Sequence, residues 1–189
     1  AFAILLAAQA QNVAMQIIGK RSPDSTTALS FYNATHEAMG GMGLIGGQTL
    51  DLEFQAKEPN YSFAEGYRRK IGFKDLWTMC AHFKTASLFR LAFFAGALKA
   101  NLSQDDLECL CRAGDRIGLV FQLLDDEADH DHASPLVTNH FQTIMTREQR
   151  LQEAKEQRAS WRKDIEMTLG NPGRSLCNYI EAMIPSSIV

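Results

Sequence analysis

The stretch Ile117-Gly-Leu-Val-Phe-Gln-Leu-Leu124 constrains the fold more than any other part of the chain. Its side chains are apolar on nearly every bearing of a helix, the pattern of an element enclosed by others rather than lying on a surface. Such a helix needs several packing partners, and the rest of the chain must supply them. Polarity enters along one line, because at 3.6 residues per turn Gly118, Gln122, Asp125 and Asp129 stack above one another. A carboxylate in those surroundings has to be neutralised, paired or bound to a metal. Asp125 and Asp129 lie one turn apart, with Asp126 beside them, which predicts a divalent-cation site. Hard oxygen donors with positions left open for substrate phosphates suit Mg²⁺.

The partners are helices too. Every long segment carries the helical period and none shows sustained strand alternation, so we expect one all-α domain over residues 1–189. Ala1–Lys20 reads as a buried helix that begins in mid-element, with material expected upstream of Ala1. Thr27 to about Gln55 is helical through its glycines, Ser62–Lys70 starts another helix, and Asp75–Ala100 reads as helical throughout. Ser103-Gln-Asp-Asp106 is a helix start with a serine N-cap. His130–Asn139 reads as a polar loop. Thr146-Arg-Glu-Gln149 is a capping box opening an amphipathic helix. The predicted buried stripe of that helix is Leu151, Ala154, the Arg158 stem, Trp161, Ile165 and Leu169, with a stop at Gly170-Asn-Pro172 and a last helix over about Arg174–Ile184.

Composition excludes several classes. A net charge of −3 and a pI near 6.0 give no footprint for nucleic acid or an anionic membrane surface. Gln9, Gln11, Asn12 and Gln16 interrupt the apolar N-terminal run, so it predicts neither a signal peptide nor an integral membrane segment. The four cysteines have no C-x-x-C or zinc spacing and read as reduced thiols of a cytoplasmic protein.

Two further clusters could carry chemistry. Five glycines lie between Gly40 and Gly47, and glycine inside a helix costs about 1 kcal/mol relative to alanine. Closely packed backbones would compensate; no Gly-Lys-Ser/Thr follows, so a P-loop is excluded. Gln48 and Asp51, just beyond, share a helical face. Lys84 is aimed along the apolar side of Leu88 and Leu91. By itself it reads as a lysine reaching for solvent; beside Asp51 and Asp125 an anionic ligand, such as a diphosphate held next to a cation, is the better partner. Asp105-Asp106 and Arg68-Arg69-Lys70 read as solvated faces. His130, Asp131 and His132 read as loop, and His36 and His82 as core histidines.

Gly46-Gly47-Gln48-Thr49-Leu50-Asp51-Leu52, Lys84-Thr85-Ala86-Ser87-Leu88 and Phe121-Gln122-Leu-Leu-Asp125-Asp126-Glu-Ala-Asp129 together resemble the motifs of the trans-isoprenyl (polyprenyl) diphosphate synthases. The resemblance covers about residues 40–130. It implies an all-α barrel of helices around a central cavity, in a homodimer, that joins isopentenyl diphosphate to an allylic diphosphate with Mg²⁺. Carried over by position, Asp125 would bind metal with Asp126 and Asp129 in support. Lys84 would hold the allylic diphosphate, and Thr85 and Gln122 would face the developing cation. Gln48 and Asp51 would bind metal waters and diphosphate, and Phe121 would line the homoallylic side.

Two departures qualify the resemblance. The family's first aspartate-rich motif, Asp-Asp-x-x-Asp followed by paired arginines, does not occur in residues 1–189, and its expected place is upstream of Ala1. No lysine lies between Asp129 and Lys155, where the family has a lysine-bearing region. A non-catalytic or regulatory subunit of a heteromeric synthase is therefore the second expectation, ahead of a class I terpene synthase or a plain helical bundle.

Overall fold

The computed structural model describes residues 2–55, 73–132 and 145–184, and these are helical with short connections and no strand among them. In chain order the helices are α1 (Phe2–Arg21), α2 (Ser25–Met39), α3 (Leu44–Gln55), α4 (Phe73–Ala81), α5 (Ser87–Lys99), α6 (Gln104–His132), α7 (Arg147–Leu169) and α8 (Asn171–Met183). A five-residue π turn, His82–Ala86, joins α4 to α5. The expected helix at Ser62–Lys70, with its Arg-Arg-Lys run, lies outside the described residues, as does the segment from Ala133 to Asn139.

Local chemistry sets most of the boundaries. Asp24 caps α2, accepting hydrogen bonds from Thr27 N at 2.8 Å and Thr27 Oγ1 at 2.9 Å. Ser103 accepts from Asp106 N at the start of α6. Thr146 and Gln149 form the expected reciprocal capping box on α7. Gly170, at φ +62°, ends α7 in a backbone region that favours glycine. Pro172 then sits in the first turn of α8, which starts three residues before the expected Arg174 because proline is tolerated there.

Four expectations need correction. The Thr27–Gln55 pattern is two helices, because the chain turns at Gly40–Gly43, where Gly43 N donates to Gly40 O at 3.0 Å. The Asp75–Ala100 pattern holds an inserted π turn. His130–His132, expected in a loop, continue α6. The buried helix expected at the N-terminus has no buried residue: Phe2, Ile4, Leu5 and Leu6 are all more than half exposed. α1 leans on α2, where Tyr32 OH donates to Met15 O at 3.1 Å. A helix apolar on all sides cannot bury itself against one neighbour. By length and composition α1 is also apolar enough to cross a membrane.

α6 organises the remainder. Its 29 residues span about 43 Å at 1.5 Å per residue. Gly114 and Gly118 let α5 and the π turn lie directly on it, since a Cβ on Gly114 would be 3.0 Å from Arg90 Cα and one on Gly118 would be 2.8 Å from that of Ala86. Two cores flank this contact. One, below the π turn, centres on Leu50, Leu76, Trp77 and Leu123. The other, toward the start of α6, centres on Ile117, Trp161, Ile165 and Cys177. Ala154, Trp161 and Ile165 are buried as expected on α7, but that stripe begins at Arg150 rather than Leu151.

Candidate active site

Three elements bring the predicted polar residues together: α3, the π turn and the last third of α6. The glycines of α3 do what close packing requires, since a Cβ on Gly47 would fall on the backbone of Phe83 and Lys84. α3 therefore rests on the π turn, and Asp51 one turn further on meets Lys84. The Lys84 Nζ lies 2.9 Å from Asp51 Oδ2, with the carboxylate buried and the lysine half-buried. Burial alone would lower the Lys84 pKa; the hydrogen bond and charge of Asp51, with Asp126 behind it, outweigh that and raise it. Lys84 is thus a held ammonium, not a side chain stretched to solvent.

Lys84 and Thr85 are consecutive residues within the π turn. The extra residue in the turn rotates the helix face, a device that recurs at functional sites. Thr85 Oγ1 donates to Gln122 Oε1 at 2.5 Å. Gln122 Nε2 donates to Asp126 Oδ1 at 2.7 Å, and Trp77 Nε1 donates to Asp126 Oδ2 at 3.0 Å. Burial pushes the Asp126 carboxyl above its ordinary pKa, against the pull of the Gln122 and Trp77 hydrogen bonds and of Lys84. A cavity of about 10 Å³, the size of one water, lies among Asp51, Lys84, Gln122 and Asp126. Cys80 borders it, donates to Gly47 O at 3.4 Å, and is pushed up to about 12 by burial and by Asp51, so it stays a thiol.

The two adjacent aspartates part company. Asp126 is buried and engaged, whereas Asp125, expected among apolar neighbours, is exposed. Phe121 is 47% exposed and stacks at 5.7 Å on Phe89, so α6 is not enclosed on all sides here. Gln48 is exposed on α3, one turn before the buried Asp51. The side chain of Asp129 lies outside the described residues. Among the described residues no three acidic, histidine or cysteine side chains form a metal cluster. Asp125 still offers an open carboxylate, and Mg²⁺ held by one or two carboxylates plus substrate phosphates needs no all-protein cage. A cavity of about 760 Å³ lies elsewhere, between α2, α5 and α6, and Lys84, Thr85, Gln122 and Asp125 do not line it.

Three contributors escaped the sequence reading. Trp77 was legible only as an apolar residue, although a buried indole N–H needs an acceptor. The π turn leaves no mark on helical periodicity. Glu127 and Arg150 form a buried pair, Arg150 Nη2 to Glu127 Oε2 at 2.6 Å, with Arg147 Nε at 2.6 Å from Oε1. The pair ties the aspartate-bearing end of α6 to the start of α7.

The fold and the motifs agree with what the chain is similar to. The structure resembles an FPP/GFPP synthase from Zymomonas mobilis, with a TM-score of 0.72 and 24% identity over 90% of this chain and 57% of that one. It also resembles a geranyltransferase from Helicobacter pylori, TM-score 0.72 at 18% identity, covering 96% and 58%. In sequence it is 33% identical over 109 residues to a geranylgeranyl diphosphate synthase of Pantoea ananas, 56% of this chain and 32% of that protein. It is 29% identical over 101 residues to a farnesyl diphosphate synthase of Bacillus subtilis, 53% and 30%. The chain spans about a third of the length of those curated relatives. A family model described as polyprenyl synthetase matches residues 1–135, and on that match the chain belongs to the polyprenyl synthetase family.

Proposed function

We propose that the protein carrying this chain is a trans-prenyltransferase of isoprenoid biosynthesis, joining isopentenyl diphosphate to an allylic diphosphate. The observation that carries this reading is the convergence of Lys84, Thr85 and Gln122 from two separate motifs, with Asp51 on Lys84 and the exposed Asp125 three residues beyond Gln122 on α6. In the reaction the allylic C1–O bond breaks, diphosphate leaves, the isopentenyl double bond forms a new carbon–carbon bond at C1, and a proton is lost. Lys84 holds the leaving diphosphate as a fixed cation. Thr85 and Gln122 place oxygen near the positive charge that develops on the allyl group. Phe121 gives the isopentenyl side an apolar wall. Gln48 and Asp51 would bind metal-held water and diphosphate. Asp125 would hold the metal, with Asp126 and Asp129 in support. Mg²⁺ bound there would neutralise diphosphate charge and so assist its departure. All of this is positioning and electrostatics, with no nucleophilic side chain.

A homodimer in the cytoplasm fits this reading. The apolar length of α1 is a surface that the remainder of the protein or a second subunit would cover, and the four cysteines are free thiols. The same bare helix supports the second reading, a non-catalytic or regulatory subunit that completes its site with a different partner. One experiment separates them. The full-length protein, purified alone, is sized by light scattering and given labelled isopentenyl diphosphate, Mg²⁺ and C5, C10 or C15 allylic diphosphates. A dimer that lengthens the prenyl chain supports the first reading. No product alone, but product once a catalytic synthase subunit is added, supports the second.

A further inference from the structure

The hydrogen-bond chain behind Thr85 has a direction, and it starts at Trp77. An indole N–H only donates, so Asp126 Oδ2, 3.0 Å away, is an acceptor. Asp126 Oδ1 accepts the Gln122 amide N–H at 2.7 Å. With its NH₂ committed to Asp126, Gln122 turns its carbonyl to Thr85, whose hydroxyl donates at 2.5 Å. A hydroxyl whose proton is engaged in this way offers lone pairs alone to whatever lies in front of it. Trp77, Gln122 and Asp126 are each less than a tenth exposed, so the chain is set apart from bulk solvent.

We propose that Trp77 is a positioning residue: through Asp126 and Gln122, its indole N–H holds the Thr85 oxygen as an acceptor facing the reacting carbons. The proposal rests on the prenyl-transfer reading above. A preorganised oxygen stabilises a developing cation without reorganising at the moment of reaction. Without the indole N–H, Asp126 loses the donor on one of its oxygens and the constraint on its rotation. Gln122 is then tied to a carboxylate that can turn, so its carbonyl no longer fixes the Thr85 hydroxyl in one orientation and the lone pairs are no longer held toward the cation. Trp77 was not among the residues that the motifs pointed to, because its part is played two hydrogen bonds away from Thr85.

The test is Trp77→Phe in the full-length protein, which keeps an aromatic ring and removes the N–H. We expect kcat to fall roughly ten-fold, as for lost partners that orient a ligating or catalytic group. The KM for the allylic diphosphate should stay unchanged, since transition-state interactions are lost and ground-state ones are not. In ¹H–¹⁵N spectra without substrate, the Gln122 side-chain amide should be protected from exchange in the wild type and lose that protection in Trp77→Phe. Trp77→Phe combined with Asp126→Ala should be no slower than Asp126→Ala alone, because the two act in series. An unchanged kcat, losses that multiply, or a lower melting temperature with the Gln122 amide still protected would each overturn the proposal. If Trp77→Phe fails to fold, Asp126→Asn puts an N–H into the same chain, and an unaltered Gln122 amide there overturns it equally. A wild type that transfers no prenyl group would sink the reading of function. The Gln122 amide would still decide whether Trp77 holds the chain.

Discussion

Gly47 and Lys84 meet backbone to backbone: a Cβ on Gly47 would lie 2.6 Å from Lys84 Cα and 2.7 Å from the Phe83 carbonyl carbon. The glycine motif on α3 and the lysine on the π turn are therefore one structural unit. Neither backbone can move aside as a flexible side chain would. Gly47→Ala should push α3 off the turn and draw Asp51 away from Lys84. Overpacking of this kind costs about 1–3 kcal/mol. Calorimetry should show the lower melting temperature, and pyrophosphate binding by the full-length protein should weaken. Gly41, with nothing within 4 Å of its Cβ position, is the control, and Gly41→Ala should leave both unchanged. Equal behaviour of the two variants would remove the close-packing account of Gly47.

What could be read in the sequence follows from which signals are local. Capping by Ser103 and Thr146, the stop at Gly170 and the buried line Ala154–Trp161–Ile165 are properties of short windows, and they were legible, whereas Asp24, read as part of a connection, caps α2. The all-α class follows from the same periodicity. The π turn was not legible, since one added residue in a continuous helix leaves the apolar pattern nearly intact. α1 misled for a different reason: apolar composition says that a helix should be covered but not by which molecule. At the site, motif order placed Asp51, Lys84, Thr85 and Gln122 in one neighbourhood. It did not separate Asp125 from Asp126, because which of two adjacent carboxylates is buried depends on where α4 sets Trp77.

The Glu127–Arg150 pair predicts an asymmetric response to mutation. Both side chains are buried, and Arg150 also donates to Met145 O at 2.6 Å. Arg150→Met leaves the buried Glu127 charge paired with the exposed Arg147. Breaking a buried pair costs about 3–5 kcal/mol, and the remaining arginine puts this case near the lower end. The paired change Glu127→Leu with Arg150→Met should recover most of that loss, since the uncompensated charge is gone. Urea unfolding of the three variants measures both numbers; a double variant no better than the single would show that the charge was not the cause.

Glu181 supplies a pH dependence far from the site. Burial would raise its pKa, but Arg158 Nε at 3.1 Å and Arg162 Nη1 at 2.9 Å overcome that and hold it below the ordinary 4.5. A lowered acid stabilises the fold fully above 4.5, and that contribution is lost as pH falls through the folded-state value. Melting temperature should therefore drop on acidification below about 4.5 more steeply in the wild type than in Glu181→Gln, which lacks this titration. Parallel curves would mean that the clamp between α7 and α8 adds nothing.

Asp125 and Asp126 should respond oppositely to the same change. Asp125 is exposed, so Asp125→Ala removes little packing and should leave the unfolding free energy within about 0.5 kcal/mol of wild type, as for ordinary surface substitutions. If Asp125 holds Mg²⁺ for the departing diphosphate, the same variant should lose Mg²⁺-dependent product formation. It should also need a higher Mg²⁺ concentration to protect the protein thermally in the presence of pyrophosphate. Asp126→Ala removes the acceptor of Trp77 and Gln122 and leaves two buried donors unsatisfied, at about 1–3 kcal/mol each. It should lower stability with or without Mg²⁺. The Mg²⁺ titration is the discriminating measurement: a shifted midpoint in Asp125→Ala assigns the metal to the exposed carboxylate. Wild-type turnover in Asp125→Ala, with the shifted midpoint in Asp126→Ala, would transfer the metal to the buried one and displace Trp77 from its place in the chain.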